Sequence, residues 1–353
     1  MKFLVLALDG GGARMFLQWK VLSRILDRFP KFLSSVSLFA GTSAGSILAA
    51  MLACDKTDGL DAILDPLLMD EIFKRTPCHA LVSLNGLVKA KYQNDGLRHL
   101  LHSHFGHMTM QAVPHPLFIP AFNTFGHHDQ EVDHHAHGFN RQCQAQAGIA
   151  HEQSNIAHEQ AMAVLPSPRN QHLLDEEAPD WMHARCDRWH NVFYHNLTDD
   201  HGQEERVVKV IMQSCAAPTY FPMVDHCVDG GIVHNNPSLA AMSNLRALGI
   251  LLEDIYILSL GTGEKSDHLV TRPNASLGVL QWLPHILSMM FDANMEATSQ
   301  SCHEILGKRF FRLNPVLKQE VPLDSMQSFA YMQDVANEVD LSSVFDWIES
   351  IDL

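Results

Sequence analysis

A chain of 353 residues with 46% apolar and 18% charged side chains has the composition of an ordinary globular protein, and it is long enough to bury a substantial core in one large or two modest domains. Its formal charge of −15 excludes a phosphate-binding face for nucleic acid, which needs clustered Lys and Arg. The same charge opposes electrostatic docking on anionic lipid, so any membrane contact has to be mainly apolar. Seven cysteines, odd in number and without a C-x-x-C pair, point to free thiols in a reducing compartment.

The first expected element is a buried parallel strand at 3–8, an unbroken apolar run. As a signal peptide that run is too short, and it passes straight into Asp9-Gly10-Gly11-Gly12 with no cleavage site. Leu17, Val21, Leu22, Ile25 and Phe29 recur at helical spacing over about 15–29, and Pro30 ends the helix. Residues 36–40 read as a second strand and 44–52 as the helix after it. Residues 60–105 read as mostly helical, with Asn94-Asp95-Gly96 opening a segment through Leu97, Leu100 and Leu101. Strands follow at 116–122 and 192–194, on either side of a change in composition at about 127–190. A helix at about 204–215 and a tight apolar turn at 217–222 lead to Cys227-Val228-Asp229. A helix at 237–248, a strand at 255–260 and the turn Gly261-Thr262-Gly263 complete the alternation. That order predicts an α/β fold with a mainly parallel central sheet flanked by helices. The tail, about 325–351, has a helical pattern and is expected to pack back onto the domain. No uninterrupted apolar run reaches the length of a membrane span, so a soluble protein is expected.

The chemistry starts at Leu38-Phe39-Ala40-Gly41-Thr42-Ser43-Ala44-Gly45-Ser46, which has the order of parts of a nucleophile elbow: apolar strand, G-x-S-x-G, helix. Gly41 and Gly45 remove the Cβ atoms that would block so sharp a turn. The helix that follows brings its N-terminal N–H groups near the Ser43 hydroxyl. On the first strand, Asp9-Gly10-Gly11-Gly12-Ala13-Arg14 lets bare backbone N–H groups converge, as an oxyanion hole requires. A dinucleotide site is the rival for such a loop, but G-x-G-x-x-G needs glycine where Met15 stands, and Asp9 would face the phosphates. The third candidate is Asp229-Gly230-Gly231, a glycine-flanked carboxylate at a strand end, where reactive groups of an open parallel sheet gather. Asp225 lacks that setting. His226 and His234 flank Asp229 and read as polar turn residues rather than members of a triad. In an α/β-hydrolase the same elbow follows several β/α units, and the order is Ser, then Asp or Glu, then His; here it comes on the second strand.

Together these motifs resemble those of the patatin-like phospholipase family, serine acyl hydrolases with a Ser-Asp dyad. The run from Asp9 to Arg14 resembles the family's D-G-G-G-x-R/K oxyanion motif, Gly41 to Gly45 its nucleophile motif, and Asp229 to Gly231 its D-G-G/A base motif. Supporting blocks are Ser214-Cys215-Ala216-Ala217-Pro218-Thr219-Tyr220-Phe221-Pro222, Asn235-Asn236-Pro237 and Leu258-Ser259-Leu260-Gly261-Thr262-Gly263. Met15 departs from the glycine that many members carry after the arginine. The resemblance covers about 3–313. It implies a patatin-like three-layer domain over 1–315, with a His-rich insertion at about 127–190 and a helical tail at 316–353. It also implies acyl transfer, in which Asp229 takes the Ser43 proton while the N–H groups of Gly10, Gly11 and Gly12 hold the oxyanion. Arg14 would help to fix that loop, and Gly41, Gly45, Gly230 and Gly231 would give the motifs their room. No metal and no other cofactor is called for. The implied substrate is a membrane phospholipid or lysophospholipid, reached by transient contact with the membrane surface from a cytoplasmic protein. An activating protein or small ligand stays open, as does export as an effector. Two alternatives also stay open: a neutral-lipid or general esterase on the same dyad, and a catalytically silent module whose insertion binds a partner.

Two stretches stand apart. The segment at about 127–190 carries His127-His128-Asp129, His134-His135-Ala136-His137, two copies of Ile-Ala-His-Glu-Gln at 149–153 and 156–160, and His183, Cys186 and His190. His151 and His158 are a heptad apart, yet none of these groups has an established metal spacing, since His-Glu-Gln-Ser-Asn is not H-E-x-x-H. A partly helical surface insertion is the preferred reading, and a lid that responds to histidine protonation is a looser one. The other stretch, 277–291, is the most apolar segment late in the chain. A core helix kinked or started at Pro284 is preferred there to a membrane-facing or acyl-pocket element. Elemental analysis of protein purified without a metal column is expected to find no stoichiometric zinc; one zinc per chain would overturn the surface-insertion reading.

Overall fold

The computed structural model describes residues 2–65, 69, 71–75, 83, 88–125, 188–198, 204–264 and 274–351. Among these residues seven strands form one sheet: β1 (Phe3–Leu8), β2 (Leu38–Gly41), β3 (Leu117–Asn123), β4 (His190–His195), β5 (Cys227–Asp229), β6 (Ile255–Leu260) and β7 (Phe310–Leu313). The spatial order is β4-β3-β2-β1-β6-β7, and β5 pairs with β3 off that path. Five strands from β3 to β7 run parallel, while β4 and β5 lie antiparallel to β3. The mainly parallel sheet expected from the alternating pattern is what forms.

β1 is central, and its composition follows from its place. Leu4, Leu6 and Leu8 enter one core while Phe3, Val5 and Ala7 enter the other, so both faces of the strand are buried and the run has to be apolar throughout. The longer helices are α1 (Met15–Arg28), α2 (Ala44–Ala53), α3 (Asp95–Phe105), α4 (Val207–Ser214), α5 (Ser238–Ala247), α6 (Val279–Leu306), α7 (Phe329–Glu338) and α8 (Ser342–Ser350). Helices α1 to α4, α7 and α8 bury their apolar stripes on the first core; α5 and the end of α6 cover the second. Helices, sheet and helices make three layers. All ten residues of α2 are buried, which explains a sequence of Ala, Gly, Ile, Leu and Met with one serine and no charge. α7 and α8 pack on α1, where Phe16 stacks on Phe329 at 4.6 Å and Phe29 meets Phe345 edge-on at 5.6 Å.

Within 60–105 most of the described residues are helical, at 60–63, 69, 71–72, 83 and in α3, while 88–94 bend. The expected core helix at 277–291 gives way to another arrangement. α6 starts at Val279, five residues before Pro284, and its early turns are exposed; it joins the core only from about Phe291 onward. Apolar composition says that a segment leaves water without saying what it leaves water for. The His-rich insertion lies outside the described residues except for 188–190, and His190 begins β4.

Register places the site. Leu8 is level with Gly41 on β2 and with Leu260 on β6, so the chain leaves these three neighbouring strands side by side, at Asp9, Thr42 and Gly261. Asp9 is fully buried and forms a bidentate pair with Arg312 of β7, at 2.8 Å to Oδ1 and 2.5 Å to Oδ2; Arg312 also donates to Ser259 Oγ at 2.8 Å. A buried pair with its remaining donors occupied fixes geometry, and removing one member strands the other charge. Arg312→Met is expected to destabilise the protein by about 3–5 kcal/mol in urea titrations, with Asp9→Asn/Arg312→Met losing less than the single variant.

Candidate active site

Thr42 and Ser43 make the turn between β2 and α2. Ser43 has a φ of 51°, in the left-handed region that a side chain normally avoids, and such strain is held only where the surroundings over-determine it. They do so here. A Cβ on Gly45 would overlap the carbonyl oxygens of Leu8 and Asp9, and one on Gly41 would overlap the Gly45 carbonyl. α2 therefore rests directly on the end of β1. Thr42 donates its N–H to Leu8 O at 3.1 Å and its hydroxyl to His234 O at 2.6 Å. The Ser43 N–H donates to Ser214 Oγ at 2.9 Å, and the Ser214 hydroxyl donates on to Pro120 O at 2.7 Å. Backbone from three strands and the end of α4 is thus tied to one serine.

Asp229 ends β5, level with Ala121 on β3, and is 2% exposed. Ser43 Oγ donates to its Oδ2 at 2.6 Å, and the Gly231 N–H donates to its Oδ1 at 2.7 Å. Burial pushes the carboxyl up to about 7, against the opposing pull of these two hydrogen bonds. Neither neighbouring histidine takes part: among the described residues, neither His226 nor His234 hydrogen-bonds Ser43 or Asp229. His226 stacks on Phe125 at 4.4 Å, and His234, whose pKa burial lowers to about 4, lies 5.3 Å from the Phe193 ring. The Cys215 thiol sits 4.0 Å from Ser46 Oγ, and burial pushes its pKa well up, which keeps it protonated.

The glycine loop differs from the sequence expectation in one respect. Gly10 already donates its N–H to Asn235 O at 3.0 Å, so it has none to offer a substrate. Gly11 and Gly12 have N–H groups without an acceptor among the described residues, and both line the same cleft as Ser43 and Asp229. Gly12 has a φ of 57°, and a Cβ there would strike the Leu323 carbonyl. That carbonyl accepts the Ala13 N–H at 2.7 Å. Arg14 lines the cleft and donates Nη1 to Gly263 O at 3.2 Å. The next residue of the tail, Asp324, accepts from Tyr92 Oη at 2.5 Å and pairs with the Lys91 ammonium. Burial would raise the Asp324 carboxyl, but these two partners outweigh it and hold it low.

The cleft is open to solvent, with about 680 Å³ of empty space including its mouth. Apolar side chains such as Ile47, Ile72, Phe73, Leu97, Phe221 and Phe291 make up most of its wall. Its polar groups are few, a lining that suits a long apolar chain with one reactive carbonyl. Arg312, Leu323, Asp324 and the Ser214 relay are additions that the sequence motifs did not single out as site residues. Arg312 had a legible signal, a lone charge in the apolar strand Phe310-Phe311-Arg312-Leu313.

Residues 6–242 match the family model for patatin-like phospholipase. Among curated proteins, CotR of Bacillus subtilis is 24% identical over 376 aligned positions, covering 99% of this chain and 98% of its own. Protein teg of Priestia megaterium is 25% identical over 378 positions with the same coverage. A cGAMP-activated phospholipase of Pseudomonas aeruginosa is 23% identical, covering 88% of this chain and 77% of that one. Among solved structures, VipD from Legionella pneumophila aligns at 12% identity with a TM-score of 0.35 over 94% of this chain and 66% of that one, a likeness too loose to carry weight. The sheet, the three motifs in their order and the family match agree: the chain belongs to the patatin-like phospholipase family and is a lipid hydrolase.

Proposed function

We propose that this protein cleaves acyl ester bonds of phospholipids or lysophospholipids through a Ser43–Asp229 dyad and an acyl-enzyme. The observation that carries the reading is the 2.6 Å hydrogen bond from Ser43 Oγ to a buried carboxylate whose pKa lies near 7. An ordinary carboxylate is a poor base for a serine hydroxyl, and raising its pKa improves the match. Asp229 takes the Ser43 proton as Oγ attacks the ester carbonyl, and then gives that proton to the departing alkoxide. Water, deprotonated by the same carboxylate, attacks the acyl-enzyme and releases the fatty acid. The developing oxyanion is held by the N–H groups of Gly11 and Gly12, each worth about 3–4 kcal/mol in comparable sites. No metal enters these steps. The catalytic unit spans 1–315, and the tail at 316–353 completes it by bracing the loop through the Leu323 carbonyl, with Asp324 anchoring the tail to Lys91 and Tyr92.

Ser43→Ala and Asp229→Asn are each expected to lower hydrolysis of phosphatidylcholine in mixed micelles by about a thousandfold or more while leaving the circular dichroism unchanged. Near-normal turnover by Asp229→Asn would overturn the dyad. Turnover is expected to rise with pH through about 7 and then level, because the base acts as the carboxylate. Stability should run the other way. The folded-state pKa of about 7 lies above the ordinary 3.8, so between those values the native chain holds a proton that the unfolded chain has lost. The Asp229 contribution therefore falls as pH rises through that window. Thermal scans at pH 5 and pH 8 should show Asp229→Asn losing this part of the pH dependence and melting above the wild type at pH 8.

A further inference from the structure

The first three turns of α6 present an apolar face that no packing among the described residues explains. Val279 is 78% exposed, Trp282 36%, Ile286 47%, Met289 50% and Met290 40%. At 100° per residue these five fall within about a 100° arc, one stripe along one side of the helix. Residues 277–291 contain no Asp, Glu, Lys or Arg, in a chain with 40 acidic and 25 basic residues. We propose that this stripe docks the protein on the surface of a zwitterionic or uncharged lipid bilayer, with the mouth of the catalytic cleft against the lipid. The proposal rests on the lipid-ester reading above.

Three observations select this occupant. First, the face is continuous with the cleft: Phe291, the next residue, lines it, and Asn294, one turn on, accepts the Asn235 N–H at 2.9 Å and donates to Val233 O. The docking helix is thereby bonded to the segment that follows Asp229 and holds Gly10. A lipid lifted at this face would reach Ser43 along apolar wall. Second, the exposed turns are short. Twelve residues of helix extend about 18 Å, against a hydrocarbon core of about 30 Å, and no helix among the described residues is long and apolar enough to cross a membrane. Such a segment lies in the interface, where a tryptophan beside aliphatic side chains is at home. Third, a formal charge of −15 repels anionic lipid, so the attraction has to be apolar and the surface uncharged overall.

The test uses the full chain and vesicles of dioleoylphosphatidylcholine. The triple variant Trp282→Ser/Ile286→Ser/Met289→Ser changes exposed side chains only. It is expected to lower flotation with vesicles by about tenfold or more and to slow vesicle-lipid hydrolysis in parallel. Turnover of a monomeric p-nitrophenyl butyrate should stay at the wild-type rate. Wild-type tryptophan fluorescence is expected to shift to the blue on adding these vesicles, less so when half the lipid is phosphatidylserine, and Trp282→Ser should remove the shift although four tryptophans remain. Unchanged flotation of the triple variant would overturn the proposal. So would a loss of soluble-ester turnover equal to the loss on vesicles, which would mark the stripe as structural. A wild-type dimer in gel filtration that the variant turns into a monomer would assign the face to a second copy and equally overturn it. The soluble-ester assay reports on the dyad and the flotation assay on the stripe, so failure of the catalytic reading and failure of the docking reading leave different results.

Discussion

α2 meets the end of β1 with no side chain between them, because Gly45 sets backbone against the carbonyls of Leu8 and Asp9. That contact forces the turn at Ser43 into a left-handed φ, and it puts the end of the glycine strand under the serine. The rest of the site follows from it. With β1 and β2 in register at Leu8 and Gly41, the loop at residues 9–14 has to leave the sheet beside the serine. β5 then has to bring Asp229 in from the β3 side, antiparallel, because the places beside β1 are taken by β2 and β6. A methyl group at residue 45 would separate these elements and relax the turn at once.

Two buried carboxylates a short way apart in the fold show how surroundings divide labour. Asp9 has a guanidinium on both oxygens, so its charge is compensated in a fixed geometry. Asp229 is as deeply buried and receives only a hydroxyl and an amide, with no cation among the groups acting on it. Burial then works against its charge, and the carboxyl becomes a group that can hold a proton near neutrality. One aspartate is a fastener and the other is suited to be a base, and the difference is the presence or absence of an arginine. The histidines next to Asp229 in sequence stand outside this arrangement, one stacked on Phe125 and the other deprotonated by burial.

Much of this was legible in the sequence, for local reasons. The apolar run of β1, the helical spacing of α1 and the strand–turn–helix around Ser43 are each written within about fifteen residues, and each forms close to where it was expected. Asp229 was legible because its glycines mark a close approach, and Gly230 does lie against the Pro120 carbonyl. What escaped is what depends on distant chain. Arg312 reaches Asp9 across 303 positions, and the Leu323 carbonyl that braces the glycine loop has no side-chain signature at all. The expectation that Gly10 would offer its N–H failed for the same kind of reason, because its acceptor is a backbone carbonyl brought in by the fold. α6 was misread because apolar periodicity marks a face to be covered and is silent about the cover.

The bracing of the glycine loop by the far end of the chain also orders events in time. Synthesis delivers residues 9–14 first and Ser43 and Asp229 later, and with residue 231 the two candidate catalytic side chains and their nearest hydrogen-bond partner have been made. Arg312, the Leu323 carbonyl and Asp324 come about eighty to ninety residues after that. At the ~5–20 residues per second of translation this is an interval of seconds. Until they arrive, Asp9 lacks the guanidinium that pairs with both its oxygens, and the loop between it and Arg14 lacks the carbonyl that braces it. A chain still on the ribosome thus holds a serine and an aspartate without a seated loop to receive charge from a substrate.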